Sequence, residues 1–231
     1  MIKKKAIFNW SGGKDSALAL YHTLNSDEYE IMGLLTTLNE KQKRISMHGV
    51  REELLEMQAK SIGLPLFKLY LPEKLKMDEY DDIISNELNK LKDLGVTHSI
   101  FGDIFLEDLR EYRVKQLETI GLEAVFPLWK RDTKEIANEF VSLEFKAIIT
   151  AVDASKLDKS VTLSDFDDVF IKNLPSSVDV CGENGEFHSF VWAGPIFSKP
   201  VNVSKGDIIS EFYKDDGHQF EFYFGDLISI S

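Results

Sequence analysis

The sequence predicts an α/β protein, with a doubly wound, mainly parallel sheet followed by a small C-terminal α+β domain. Three observations carry that expectation. Short apolar runs alternate with amphipathic helical stretches through the first two thirds of the chain. A glycine-rich turn closes the first apolar run, which is where doubly wound sheets bind their ligands. The alternation then gives way to a polar, acidic stretch and a closing pair of period-two segments.

Taken in order, residues 6–9 form a short apolar strand that ends at Ser11-Gly12-Gly13, and residues 17–24 follow with helical composition. Residues 31–38 are nearly continuous apolar sequence, as a strand buried on both faces requires. Over residues 48–62, Val50, Leu54, Leu55, Gln58 and Ile62 fall at helical spacing, and Gly63 stands where a helix stops. Leu66–Leu71 is strand-like between two prolines. Residues 78–94 place Tyr80, Ile83, Ile84, Leu88 and Leu91 on one helical face, with Gly95 beyond.

Residues 99–101 make a short strand before Gly102-Asp103, and residues 108–120 a helix closed by Gly121. A further strand is expected at 124–126. Asp132, with Glu135 three residues on, reads as a capping box opening a helix to about 143. Residues 147–152 have the composition of a buried strand. This alternation indicates a parallel sheet covered on both faces. The reading divides the chain into an ATP-type nucleotide-binding domain over 1–155 and a substrate-recognition domain over 156–231. In the second part, Pro175 and the Gly182-to-Gly185 stretch mark loops. Asp216-Gly217 marks the turn of a closing hairpin. Phe220, Phe222 and Phe224, at period two, read as one face of its sheet.

Composition narrows the function. The chain has 231 residues, a net charge of −12 and ordinary globular proportions, with 43% hydrophobic and 29% charged residues. Such a field repels phosphate, which disfavours nucleic acid and anionic membrane surfaces as partners. No run approaches the roughly 20 apolar residues that span a bilayer, and the expected location is cytoplasmic. Cys181 is the only cysteine, so no intramolecular disulfide or multi-cysteine zinc site can form. A homodimer is left open.

The chemistry concentrates in Ser11-Gly12-Gly13-Lys14-Asp15-Ser16. Adjacent glycines let the backbone turn tightly and approach a ligand, and amides at a helix start favour phosphate. Ser11 and Ser16 add hydroxyl donors and Lys14 a positive charge. Asp15 would repel a phosphate directly and so reads as a holder of Mg²⁺. The spacing is neither a Walker A loop nor the dinucleotide pattern. The plainer alternative is a tight strand–helix turn capped by serines.

Here the chain resembles a known family. The hexapeptide is similar to the PP-loop of N-type ATP pyrophosphatases, and that resemblance implies cleavage between the α and β phosphates of ATP. Further segments resemble the diphthine–ammonia ligase family. These are Met47-His48-Gly49-Val50-Arg51 with Gln58-Ala59, then Phe101-Gly102-Asp103-Ile104, then Pro127-Leu128-Trp129. The last and most specific is Cys181-Gly182-Glu183-Asn184-Gly185-Glu186-Phe187-His188. Asn184 stands where the eukaryotic pattern usually has glycine, and residues 165–172 lack the expected Leu-Gly segment.

The resemblance implies an ATP-dependent ligase. A carboxylate attacks the α-phosphorus of MgATP to give an acyl-adenylate and pyrophosphate, and ammonia then displaces AMP. The family's acceptor is diphthine on elongation factor two; a bacterial source would require another carboxylate. Lys14, Asp15, Glu183 and Glu186 are the expected catalytic residues. Residues 11–16 with Gly102 and Asp103 would bind ATP, and Asp15 the metal. His48, Arg51, Glu183, Gly185, Glu186 and His188 would meet the substrate. Each has a plainer reading: a solvated first helical turn for His48 and Arg51, and loop-tying carboxylates for Glu183 and Glu186. Two rivals stay open: a PP-loop enzyme adenylating a different small-molecule or nucleobase acceptor, and a non-catalytic ATP-binding module.

Overall fold

A computed structural model describes residues 2–45, 48–215 and 218–230. Its first part is the expected parallel sheet, in the order β3-β2-β1-β4-β5. The strands are β1 (Lys4–Asn9), β2 (Tyr29–Asn39), β3 (Leu66–Leu71), β4 (His98–Ile100) and β5 (Glu123–Val125). Between and after them run α1 (Lys14–Leu24), α2 (Glu52–Ile62), α3 (Met77–Asp93), α4 (Glu107–Ile120) and α5 (Thr133–Ser142). All four neighbouring strand pairs are parallel. Left-handed Gly63 and Gly121 end α2 and α4. The Asp132 carboxylate accepts the amides of Lys134 and Glu135, which forms the N-cap half of the expected capping box at α5.

The second sheet holds β6 (Lys146–Asp153), β7 (Phe187–Ala193), β8 (Val203–Asp215) and β9 (His218–Ser229), in the order β7-β6-β9-β8. A 3-10 turn (Lys159–Val161) and α6 (Asp168–Asn173) fill the segment between β6 and β7. Here the structure corrects the sequence reading. The strand expected at 147–152 forms, but it pairs antiparallel with β7 and β9 and has no place in the parallel sheet. Sheet membership thus changes before β6, on the N-terminal side of the 155/156 division. Helix α2 also starts later than the spacing suggested. Arg51 is its N-cap, and His48, Gly49 and Val50 precede it. The Asp216-Gly217 turn lies outside the described residues, as does Met47 of the second matched segment.

The two sheets share one core. A single buried cluster runs from Phe8 and Leu34 of the parallel sheet, through Leu54 and Leu55 of α2, to Ile149, Phe190 and Leu227 of the second. A separate cluster, including Ile7, Leu35, Ile84, Leu88 and Leu117, packs α3 and α4 on the sheet's other face. Phe222 and Phe224 pack with Ala151, whereas Phe220 is 44% exposed, so the period-two face is buried over only part of its length. Among the described residues no helix is long and apolar enough to cross a membrane.

Candidate active site

A cavity of about 500 Å³ opens at the C-terminal end of the parallel sheet, within the size range of small-molecule sites. Its floor is the turn from β1 into α1. Gly12 has φ +76°, and a side chain there would meet Gln58 Oε1 at 2.8 Å. Ser11 and Ser16 bond to one another at 3.1 Å, and Ser16 Oγ donates to the Gly13 carbonyl. The serines do not cap α1, whose N-cap is Gly13 with no side-chain cap bond; their hydroxyls brace the loop while the helix start lines the cavity.

Gln58 is the anchor. It is fully buried on the face of α2 that its apolar spacing marked. Its Oε1 accepts from Trp10 Nε1 at 2.9 Å, and its Nε2 donates to the carbonyls of Gly12 (3.0 Å) and Val191 (2.6 Å). One amide side chain thus joins the end of β1, the glycine turn and β7. The Val191 amide donates to the Gly12 carbonyl, and the Lys14 amide to Ser189 Oγ at 3.2 Å. On the opposite side the loop after β4 closes against α1, since a side chain on Gly102 would lie 2.9 Å from Ser16 N and Cα.

The charges are crowded. Lys14 is buried, and its ammonium donates to Asp15 Oδ2 at 2.7 Å and to the Cys181 carbonyl. Burial alone would lower its pKa; Asp15, with Cys181 and Glu183, more than reverses this, so the ammonium is held charged. Asp15 is pushed up by burial against the pull of Lys14, and its Oδ1 is buried with no hydrogen-bond partner. Burial also raises Asp103, opposed by Arg113. Glu183 is pushed up to about 8 by burial and then by Asp15, with Lys14 opposing. In the protein alone, burial therefore favours the protonated form of the Glu183 carboxyl.

His48 and His188 stack across the wall, with ring centres 4.3 Å apart and planes 25° from parallel. Burial pushes His188 down to about 4, with Lys14 adding to it. His48 falls well below the ordinary imidazole range through burial, His188 and Lys14. Both are neutral imidazoles at physiological pH.

Most expected site residues meet here. Ser11, Gly13, Lys14, Asp15, Ser16, His48, Gly102, Asp103, Glu183, Gly185 and His188 all line the cavity. Gly12 supports it through its carbonyl. Two residues do not belong to its wall. Arg51 forms a two-point ion pair with Asp226, at 3.0 and 2.5 Å, and ties the start of α2 to β9. Glu186 is 2% exposed and accepts the amides of Asp179 (3.0 Å) and Asn184 (2.9 Å) and the Asn184 side chain. Burial would raise it; these donors override burial and hold it below the ordinary range. The loop-tying reading therefore describes Glu186, and the same pattern of bonding describes Asp179, which accepts from the Cys181 amide and Thr133 Oγ1. Cys181 is buried, with its thiol donating to the Thr133 carbonyl and pushed up by burial.

The sequence reading assigned no site role to Trp10, Ser189 or Arg113. Gln58 did leave a signal, as a polar side chain at an apolar helical position. Arg113 left none, because α4 is polar over most of its length.

A parallel sheet that carries this glycine turn between its first strand and first helix defines an α/β protein of the PP-loop nucleotide-binding class. Residues 4–124 match the family model of the diphthamide synthase N-terminal domain and residues 132–219 that of the diphthamide synthase C-terminal domain, so the chain belongs to the diphthamide synthase family. Relatives include the diphthine–ammonia ligases of Bos taurus and Homo sapiens. The first is 25% identical over 225 residues, covering 87% of this chain and 83% of the relative. The second is 25% identical over 224 residues, covering 86% and 82%. The Schizosaccharomyces pombe diphthine–ammonia ligase is 22% identical over 221 residues, or 86% of this chain and 36% of that longer protein.

Proposed function

We propose that the chain is an ATP-dependent amide-forming ligase that adenylates a carboxylate, releases pyrophosphate and passes the acyl group to ammonia. The observation that carries this reading is the single cavity in which the phosphate-type loop and the Gly182-to-His188 segment face one another. Membership of the family and relatives named diphthine–ammonia ligase support it. The acceptor is then diphthine on elongation factor two, and the location the cytoplasm.

The α1 start, the Ser11 and Ser16 hydroxyls and Lys14 bind and orient the polyphosphate. Adenylation is required because a free carboxylate is a poor electrophile and hydroxide a poor leaving group; the protein's part is positioning and charge stabilisation around the phosphates. The residues present fit Mg²⁺: the unpartnered Asp15 Oδ1 and the nearby Asp103 are hard oxygen donors, and Mg²⁺ takes one or two carboxylates with substrate phosphates. When bound, that ion neutralises phosphate charge. Glu183 faces the same space; once its carboxyl is ionised, it takes the proton that ammonia releases as the C–N bond forms and AMP leaves. Glu186 and Arg51 hold the frame and touch no reactant.

The test is product analysis with α-labelled ATP, Mg²⁺, ammonium and diphthine-bearing elongation factor two. AMP and pyrophosphate that depend on the acceptor are expected. ADP and phosphate, or no cleavage with the acceptor present, would overturn the reading.

A further inference from the structure

The Lys14 ammonium is held from two sides. Asp15 is its neighbour in the chain, whereas the Cys181 carbonyl comes from the irregular segment between α6 and β7. No helix or strand ladder fixes the direction of that carbonyl, so other bonds must.

Asp179 supplies them. Its Oδ1 accepts the Cys181 amide at 2.8 Å and the Glu183 amide at 3.4 Å. Its own carbonyl accepts the Gly182 amide at 2.9 Å, closing a turn in which Gly182 takes φ +72°. A side chain on Gly182 would lie 2.7 Å from the Phe187 carbonyl, so the turn packs directly on the start of β7. The second oxygen, Oδ2, accepts Thr133 Oγ1 at 2.7 Å, and Thr133 is the first residue of α5. The Cys181 thiol donates back to the Thr133 carbonyl at 3.2 Å. The turn is therefore pinned at two points to a helix whose Ile136, Ala137 and Phe140 lie in the main core. The charge of Asp179 also reaches the site, where it adds to burial in pushing Asp15 and Glu183 upward.

We propose that Asp179 is a positioning residue, which together with Thr133 aims the Cys181 carbonyl at Lys14 and sets Glu183 against the phosphate loop. It touches no reactant. Its effect on turnover rests on the amide-forming reading; its effect on the loop does not. Without the carboxylate, the Cys181 and Glu183 amides lose their acceptor and the turn loses one of its two pins to α5. The Cys181 carbonyl is then free to swing away, leaving Lys14 to Asp15 alone. A displacement of about 1 Å at a reacting site is enough to cost about a hundredfold in rate.

Two side chains of the site report on this without any turnover. Cys181 is the only cysteine and is buried, so its reaction with an aromatic disulfide such as dithiobis-nitrobenzoate follows the opening of this turn. Acetylation of Lys14 by acetic anhydride, read by mass spectrometry, follows the release of its ammonium. In the full chain, Asp179→Ala should speed both reactions at least about tenfold. Thr133→Val, a milder change that removes one hydrogen bond, should speed both by about threefold. Asp179→Asn keeps an acceptor for the amides and Thr133→Ser keeps the hydroxyl, so both should stay within about twofold of wild type. Arg51→Ala, which loosens a different junction, should change neither. Unchanged labelling in Asp179→Ala and Thr133→Val, or equal acceleration in Arg51→Ala, would overturn the proposal. In AMP formation, Asp179→Ala should lower kcat at least about tenfold with the ATP KM within about threefold, and Asp179→Asn should recover most of kcat. Faster labelling with an unchanged kcat would reduce Asp179 to a structural tie and overturn its positioning role. A wild-type chain that forms no AMP from any acceptor would sink the ligase reading instead, and the two labelling reactions would still decide whether Asp179 places the loop.

Discussion

Replacing Gln58 with leucine tests whether one buried amide holds the nucleotide loop in place. The change keeps the volume nearly constant and removes three hydrogen bonds. The Trp10 indole N–H loses its acceptor, and a buried donor left without one costs about 1–3 kcal/mol. The Gly12 carbonyl keeps the Val191 amide, so its loss and that of the Val191 carbonyl are nearer an ordinary hydrogen bond, about 0.5–1.5 kcal/mol each. The gross cost is about 2–6 kcal/mol, and burial of the more apolar leucine returns about 1 kcal/mol. Urea denaturation should therefore show a fall of about 1–5 kcal/mol with an unchanged slope. The same variant should raise the ATP KM at least about fivefold, because Gly12 and the helix start behind it are no longer fixed. A stability loss below about 0.5 kcal/mol with unchanged ATP kinetics would refute the anchoring role.

Three other changes have expected outcomes. Glu186→Gln should lower stability by about 1–3 kcal/mol while kcat stays within about twofold, since an amide NH₂ would face a backbone donor; intact stability with lost turnover would return Glu186 to the reacting site. For Glu183, the folded value of about 8 lies above the ordinary 4.5, so the unfolded chain releases its proton first as pH rises. Wild-type stability should fall across that window, and Glu183→Gln should gain on it from about pH 4.5 to about pH 8, with no gain at pH 4. Equal pH dependence in the two proteins would contradict the burial of this carboxyl. Arg51→Ala should cost about 1 kcal/mol at neutral pH. Asp226, which Arg51 holds below the ordinary 3.8, contributes stability above that value and loses it as pH falls through its lowered one. The Arg51→Ala deficit should therefore vanish in acid, and a deficit that persists there would place the cost in packing instead.

The parallel half of the fold was legible because four of its five strands, β1, β3, β4 and β5, have a glycine or proline close to a boundary and all five are followed by a helix. The second sheet was legible only in pieces. Residues 147–152 are buried on both faces, and such a run reads the same in a parallel strand and in an inner antiparallel one. Its partners, β7 and β9, lie dozens of residues away, so no local signal sets its sheet. Strand β7 was missed because Phe187 to Ala193 has buried side chains at consecutive positions and no alternation. The site followed the same rule. Residues 11–16 announce themselves by their backbone demands, and local spacing placed Glu183 in the glycine-rich loop; His188, read into the same loop, lies instead in β7. Local spacing could not say that Glu186 turns inward to its own loop, that Arg51 meets Asp226, or that Arg113 reaches the cavity from α4. Each of those outcomes depends on a partner distant in sequence or on the path of a short loop.

An acidic chain that binds a polyphosphate poses an electrostatic problem, and the cavity meets it locally. Asp15, Asp103 and Glu183 share the space with Lys14 and Arg113, so ionising every carboxyl would leave the site net negative before any ligand entered. The protein relieves this by burial: Glu183, Asp15 and Asp103 are all pushed upward, and both histidines are pushed downward. A bare polyanion entering such a site would meet one committed ammonium and several oxygen lone pairs. A polyanion accompanied by a divalent cation would meet oxygen donors already in place, with Asp15 Oδ1 free to take part. The same carboxylates that make free phosphate unwelcome would therefore favour a cation-bearing nucleotide, while Arg113 is committed to Asp103 at 3.1 Å.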